Sequence, residues 1–152
     1  MPTKGLILGY ASLWHALLEN RKRYELRRAL VEVPHGGLRL LFVCSGRVRE
    51  REGLSLEMAE GFCYRRLGPY TADYIISRED LLGRVFATPD EIRQLLPVRT
   101  KSGTPGTGYL YEVVGVKRSR SVTWADWSGN GSNQFGFMKK RDKHEGKDRW
   151  VE

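Results

Sequence analysis

The most informative part of the chain is residues 14–27, which read WHALLENRKRYELR. Apolar residues at its start recur at helical spacing, and this predicts a helix over residues 12–19 with Ser12 as its cap. Asn20 should end that helix, because asparagine tolerates the left-handed backbone conformation that closes many helices. A strand is predicted to follow over residues 23–28. The segment therefore predicts a helix, a tight stop and a strongly charged strand.

The charged residues of this segment follow a fixed spacing, Asn20-x-Lys22-x-x-Glu25-x-Arg27. This pattern resembles the Gly-x-Lys-x-x-Glu-x-Arg signature of the ASCH domain family, within the PUA-like superfamily, with Asn20 in the glycine position. The resemblance covers roughly residues 6–117. It implies an α+β fold built on a small β-barrel. Strands joined by short helices, without a βαβ rhythm, also favour a barrel of about five or six strands with roughly two or three flanking helices.

The rest of the chain is divided by its apolar patterning and turn residues. Short apolar runs predict further strands at residues 5–9, 38–44, 74–77, 84–87 and 109–116. One helix is predicted over residues 54–67. The capping-box sequence Thr88-Pro89-Asp90-Glu91 predicts another, ending at Leu96. We expect a solvated connection at residues 47–52 and a mobile loop at residues 100–108, whose closure over a ligand the sequence leaves open.

Composition narrows the class of partner. The 152 residues carry a formal net charge of +8, with 11% aromatic residues, and this combination favours a nucleic acid or another polyanion. We expect an ASCH domain over residues 1–118 and a basic, aromatic-containing extension over residues 119–152. Cys44 and Cys63 lack metal-ligand spacing, so we predict no structural metal, no cofactor and a reducing compartment. No apolar run is long enough to span a membrane, and we expect a cytoplasmic monomer.

The signature residues suit recognition of RNA or a nucleotide. Arg27 can pair with phosphate, Glu25 with a base edge and Lys22 with either. Strand alternation would point Lys22 away from Glu25, although the turn before it can swing its ammonium back toward the cleft; the sequence leaves this open. An exposed Tyr can stack on a base. The predicted nucleic-acid-binding residues are Tyr10, Arg21, Lys22, Arg23, Glu25 and Arg27. The competing interpretation is that Glu25 only neutralises its cationic neighbours at the barrel mouth.

The resemblance implies RNA binding first, and it also implies two kinds of hydrolase. In both, the candidate catalytic residues are Lys22, Glu25 and Arg27. An N4-acetylcytidine amidohydrolase would use Lys22 as nucleophile or base. That subgroup, however, has Thr in the place of Glu25, and only Glu91 is available as a weak match for its second carboxylate. A ribonuclease assisted by a divalent metal fits the signature better. A protein-interaction adaptor that uses the basic extension is a third possibility.

Overall fold

The computed structural model describes residues 1–44, 46–53, 57–123, 127–128, 136–137, 139–141 and 148–150. Nine strands lie within these ranges. They are β1 (Thr3–Leu8), β2 (Tyr24–Arg27), β3 (Leu38–Cys44), β4 (Glu57–Tyr70), β5 (Gly108–Thr123), β6 (Trp127–Ser128), β7 (Gly136–Phe137), β8 (Lys139–Arg141) and β9 (Asp148–Trp150). The five helices described are α1 (Ala11–Leu18), α2 (Gly46–Glu52), α3 (Ala72–Ile76), α4 (Glu79–Val85) and α5 (Pro89–Leu95). The predicted α+β class is confirmed.

The main sheet is mixed and open. Its six strands run in the order β2-β5-β4-β3-β1-β7. Strands β1 and β3 pair in parallel, and the other neighbouring strands described are antiparallel. Among the described residues β2 and β7 form the two edges, so the predicted closure into a barrel is wrong. A second sheet contains β6, β8 and β9.

Several predicted elements have the wrong type. Residues 47–52 belong to helix α2, and most of the helix predicted over residues 54–67 is strand β4. The strands predicted at residues 74–77 and 84–87 fall largely in helices α3 and α4. These helices have five and seven residues, too few to display a helical period against a short apolar run. The described helices are therefore more numerous than the sequence predicts.

Two of the three local signals with a backbone mechanism are confirmed, at Asn20 and at Thr88. Asn20 has a φ of 59° and ends α1 as predicted. In the capping box of α5, the Thr88 hydroxyl accepts from the Glu91 amide at 3.2 Å, and the Glu91 carboxylate accepts from the Thr88 amide at 3.0 Å. The predicted cap at Ser12 is wrong, because α1 begins one residue earlier, after Tyr10, without a side-chain cap.

Two apolar cores divide the molecule. One packs α1 against β1, β3 and β4, and it includes Trp14 and Phe42. The other packs α3, α4 and α5 against β2 and β5, and it includes Leu26 and Ile92. This second core fixes the position of the helices, and of the loop that follows α5, relative to strand β2.

The boundary between a domain over residues 1–118 and an extension over residues 119–152 stays a prediction. Strand β5 continues through that position, and β7 pairs with β1, where Lys4 is opposite Phe137. More than half of the predicted basic extension over residues 119–152 lies outside the described residues. None of the described helices has the length and apolar character that crossing a membrane requires.

Candidate functional site

Lys22 lies in the turn between α1 and β2, and its side chain is only 3% exposed. Its Nζ donates hydrogen bonds to the carbonyl oxygens of Tyr24 at 2.6 Å and Val85 at 2.8 Å. Val85 is the last residue of α4. The ammonium therefore satisfies a carbonyl at a helix C-terminus, where a positive charge is favoured. Lys22 joins the entry of β2 to the end of α4.

Glu25 stands between two cations. Its Oε1 lies 4.0 Å from the Lys22 Nζ and 3.4 Å from the Arg27 Nε. The Arg27 Nη2 also donates to the carbonyl oxygen of Ile7 at 3.3 Å, which ties β2 to β1. The other carboxylate oxygen of Glu25, Oε2, is buried and accepts no hydrogen bond from the residues that the structure describes. Because such an atom is costly to bury, this oxygen is a feature that packing alone does not explain.

The convergence of Lys22 and Glu25 is therefore found in the structure, although the pair is enclosed. The left-handed Asn20 and a hydrogen bond from the Lys22 amide to the Ala16 carbonyl, 3.1 Å long, turn the chain back before β2 begins. Burial lowers the pKa of Lys22, with a smaller lowering from Arg27, and Glu25 opposes both. Burial thus disfavours the charged form of Lys22, and the nearby Glu25 carboxylate favours it.

A wide cavity of about 1160 Å³ lies beside this cluster; we call it the basic groove. One wall is the end of β2 and the residues after it, and the other is the loop between α5 and β5, residues 96–107. Four cationic side chains line the groove: Arg27, Arg28, Arg99 and Lys101. None of the described lining residues is Asp or Glu. Arg28, Arg99 and Lys101 are exposed, whereas Arg27 is largely covered and contacts Glu25.

The loop wall of the basic groove is braced by its own hydrogen bonds. The Thr100 amide donates to the Thr104 carbonyl at 2.8 Å, and the Arg99 Nη1 donates to the Gly103 carbonyl at 3.0 Å. The hydroxyls of Thr100, Ser102 and Thr104 lie within 2.9 to 3.2 Å of one another. The segment predicted as a loop over residues 100–108 is thus found as a loop over nearly all of that range, and its mobility stays a prediction. It presents cations and hydroxyls together.

The other predicted binding residues lie outside the groove lining. Tyr10 is 57% exposed and forms the N-cap of α1. Arg21 pairs with Glu19 at 2.7 Å, and its guanidinium lies 4.9 Å from the centre of the Phe86 ring. Arg23 is exposed at the entry of β2. Of the predicted site residues, only Arg27 contributes both to the buried cluster and to the groove lining that the structure describes.

Sequence reasoning missed Arg99 and Lys101. They stand far along the chain from the signature, and only the fold brings them opposite Arg28. The available signal was two cations within a segment rich in Ser, Thr and Gly. Such a segment cannot bury an apolar face and therefore remains on the surface.

The open mixed sheet, with α1 leading through the turn of Lys22 into β2, is an ASCH-like fold. The structure is similar to that of an ASCH protein from Zymomonas mobilis, with a TM-score of 0.58, 12% identity, 82% of this chain covered and 75% of that chain. Two point mutants of a Zymomonas mobilis ASCH protein give the same score and identity, with 78% of their chains covered. No protein-family model matches the sequence, and neither does any curated protein. At this level of identity the likeness shows the fold alone.

Proposed function

We propose that the protein binds RNA and that the phosphates of the RNA lie in the basic groove. The observation that carries this proposal is the lining of the groove, with four cationic side chains and no carboxylate among its described residues. Phosphate contacts supply nearly all of the non-specific affinity of proteins for nucleic acids and a large share of the specific affinity. The net charge of +8 and the nucleic-acid association of ASCH proteins support the same partner.

The residues divide into contacts and supports. Arg28, Arg99 and Lys101 are the exposed cations, and they contact phosphate oxygens in this proposal. The hydroxyls of the loop wall donate further hydrogen bonds to the same oxygens. Glu25 contacts Arg27 directly and Lys22 contacts Glu25, so both support the position of Arg27 at the groove. The stacking role predicted for Tyr10 stays a prediction.

The test is binding of a fluorescent single-stranded RNA, measured by anisotropy over a range of salt concentrations. We expect the double variant Arg99→Ala/Lys101→Ala to weaken binding and to reduce the slope of log K against log salt by about 0.7 for each phosphate that is no longer neutralised. Arg47→Ala/Lys117→Ala is a charge-matched control on exposed residues. Lys117 lies eight residues beyond Tyr109 along β5, roughly 26 Å from the strand end that pairs with Arg27. Equal weakening by both double variants would reject the groove.

A second candidate is hydrolysis of RNA or of N4-acetylcytidine. Two features of the buried cluster favour it, namely the lowered pKa of Lys22 and the Glu25 Oε2 without a hydrogen-bond donor in the described residues. A lowered pKa gives a lysine more of the neutral amine that a nucleophile or base needs. In this conformation, however, both carbonyl contacts of Lys22 and its burial keep a substrate from Nζ.

The described residues do not provide the set of ligands that the divalent metal of a ribonuclease would need. No group of three or more His, Cys, Asp or Glu side chains converges anywhere in the part of the chain that the structure describes. Hard cations prefer several oxygen ligands, so Glu25 alone is a poor site. Incubation of wild type and Glu25→Gln with each substrate, with and without Mg²⁺, tests the candidate. Products formed by the wild type and lost in the variant would establish an enzyme.

A further inference from the structure

A second cavity lies on the other side of the loop wall, and its chemistry differs from that of the groove. It has a volume of about 480 Å³, within the range usual for small-molecule sites. We call it the side pocket. Ala72, Leu96 and Pro105 give it apolar walls, and Val98 at its margin is 80% exposed. An exposed valine beside an apolar cavity is a surface that a ligand would cover favourably.

Four of the residues that line the side pocket are polar or charged, namely Thr71, Asp73, Arg93 and Arg99. Arg93 and Asp73 both line it, with the Arg93 Nη2 3.8 Å from the Asp73 Oδ1. A carboxylate can accept hydrogen bonds from the amino and imino groups of bases. A guanidinium plane can stack on an aromatic ring. An apolar cavity with this pair of functions suits a flat, aromatic, hydrogen-bonding group.

The side pocket and the basic groove share part of their lining. Pro97, Arg99 and Pro105 belong to both. The loop is pinned at this point, since the Gly106 amide donates to the Pro97 carbonyl at 2.9 Å. An alanine at position 106 would place its Cβ only 2.3 Å from that carbonyl oxygen, so the close approach of the two segments requires glycine. The pocket and the groove are therefore held next to each other by a fixed ridge.

We propose that the side pocket receives one unstacked base of a single-stranded RNA whose phosphates occupy the basic groove. This inference rests on the proposed function and adds the position of a base to it. Arg99, on the ridge, is placed to contact the phosphate between the two sites. The RNA would thus be held by its charge in one cavity and by one base in the other, as single-stranded nucleic acids commonly are.

The test compares base-bearing and abasic RNA. Binding of oligoadenylate, oligouridylate and an abasic ribose-phosphate chain of equal length is measured by anisotropy with wild type and variants. Charge effects act on all three chains alike, so the ratio of affinities isolates the base. We expect the wild type to prefer at least one base-bearing chain by roughly fivefold or more. Ala72→Leu, which fills the pocket, should remove that preference and leave the affinity for the abasic chain unchanged.

Val98→Ser provides a second variant that does not touch the core, and it should reduce the preference by about twofold. Its matched control is Val114→Ser, at a valine that is exposed on β5 and should leave the ratio unchanged. If Ala72→Leu fails to fold, Val98→Ser decides alone. An unchanged ratio in the folded pocket variants would overturn the inference, and so would a wild type that binds all three chains equally. If the wild type binds all three chains equally and in a salt-dependent way, the base pocket is rejected and the proposed binding of RNA phosphates in the basic groove is kept. If the wild type binds none of the chains, both proposals are rejected.

Discussion

Replacing Lys22 with methionine tests whether the geometry of the buried cluster serves the fold or the ligand. Methionine keeps a long apolar stem and removes the ammonium. Two hydrogen bonds from a charged donor, to the Tyr24 and Val85 carbonyls, disappear. Glu25 loses one of its two cationic neighbours and keeps Arg27. The variant therefore leaves polar groups buried without the donor that satisfied them.

The expected cost is large. Hydrogen bonds to charged groups contribute about 1.5–3 kcal/mol each. Breaking a buried ion pair by removing one partner typically costs about 3–5 kcal/mol. The two figures describe overlapping losses, and the wild type also carries a desolvation cost, which the lowered pKa of Lys22 reflects. We therefore expect Lys22→Met to lower the free energy of unfolding by about 3–5 kcal/mol.

Urea unfolding followed by tryptophan fluorescence measures this loss. The control is Arg21→Met, next in sequence, whose side chain is half exposed and pairs with Glu19. It should cost no more than about 1 kcal/mol. RNA affinity is measured in parallel, without urea, where each variant is folded. A Lys22→Met protein with unchanged stability but no RNA affinity would refute the structural role of Lys22 and make it a ligand contact.

Three further predictions concern the pH dependence, the cap of α5 and the loop wall. Because burial lowers the pKa of Lys22, the Lys22 ammonium of the folded protein loses its proton at a lower pH than that of the unfolded chain. The wild type should therefore gain stability relative to Lys22→Met as pH rises towards 10.5, the ordinary pKa of lysine. A stability difference that stays constant with pH would contradict this. Thr88→Ala should lower the free energy of unfolding by about 1 kcal/mol in urea, because a capping hydrogen bond is removed, and no change would argue against the cap. Gly106→Ala should destabilise the protein by about 1–3 kcal/mol and weaken RNA binding, because its Cβ meets the Pro97 carbonyl. Gly36→Ala, with no atom within 4 Å of the added Cβ, is its control, and equal effects of the two would contradict the clash.

The parts of the fold that can be predicted are those with a local physical cause. The sequence predicts strand β3 with its observed bounds, because its residues are apolar except for Arg39 and nearly all of them are buried. Asn20 and the Thr88 capping box are predictable because each is fixed by hydrogen bonding or backbone conformation within a few residues. Strand β4 is missed since its pairing partners, β3 and β5, lie elsewhere in the chain. Gly61 is the residue in this segment that argues against a helix and fits strand β4. A Cβ at position 61 would lie 2.8 Å from Val113 Cγ1 on the neighbouring strand β5, so the close pairing of the two strands favours glycine there.

In the candidate site, too, the predictable features are those with a local cause. The spacing predicts that Glu25 and Arg27 share one face of their strand, but it points Lys22 to the other face, so the sequence leaves open whether Lys22 and Glu25 meet. Their burial is not predictable, because it depends on α4, whose last carbonyl group receives the Lys22 ammonium. The exposed cations of the loop wall, Arg99 and Lys101, cannot be assigned to the site without the tertiary structure.

Arg27 connects the buried cluster to the basic groove, and this connection changes how binding data on the signature residues should be interpreted. Its guanidinium contacts Glu25 and the Ile7 carbonyl, so its position at the groove depends on residues that the RNA does not reach in this proposal. A variant of Lys22 or Glu25 can therefore weaken binding by displacing Arg27. Arg28, the next residue, is exposed in the same groove and outside the buried cluster. We expect a variant of Arg28 to have a lower RNA affinity and an unchanged free energy of unfolding. We expect a variant of Lys22 to lower both. This difference separates a residue that touches the RNA from one that supports the site.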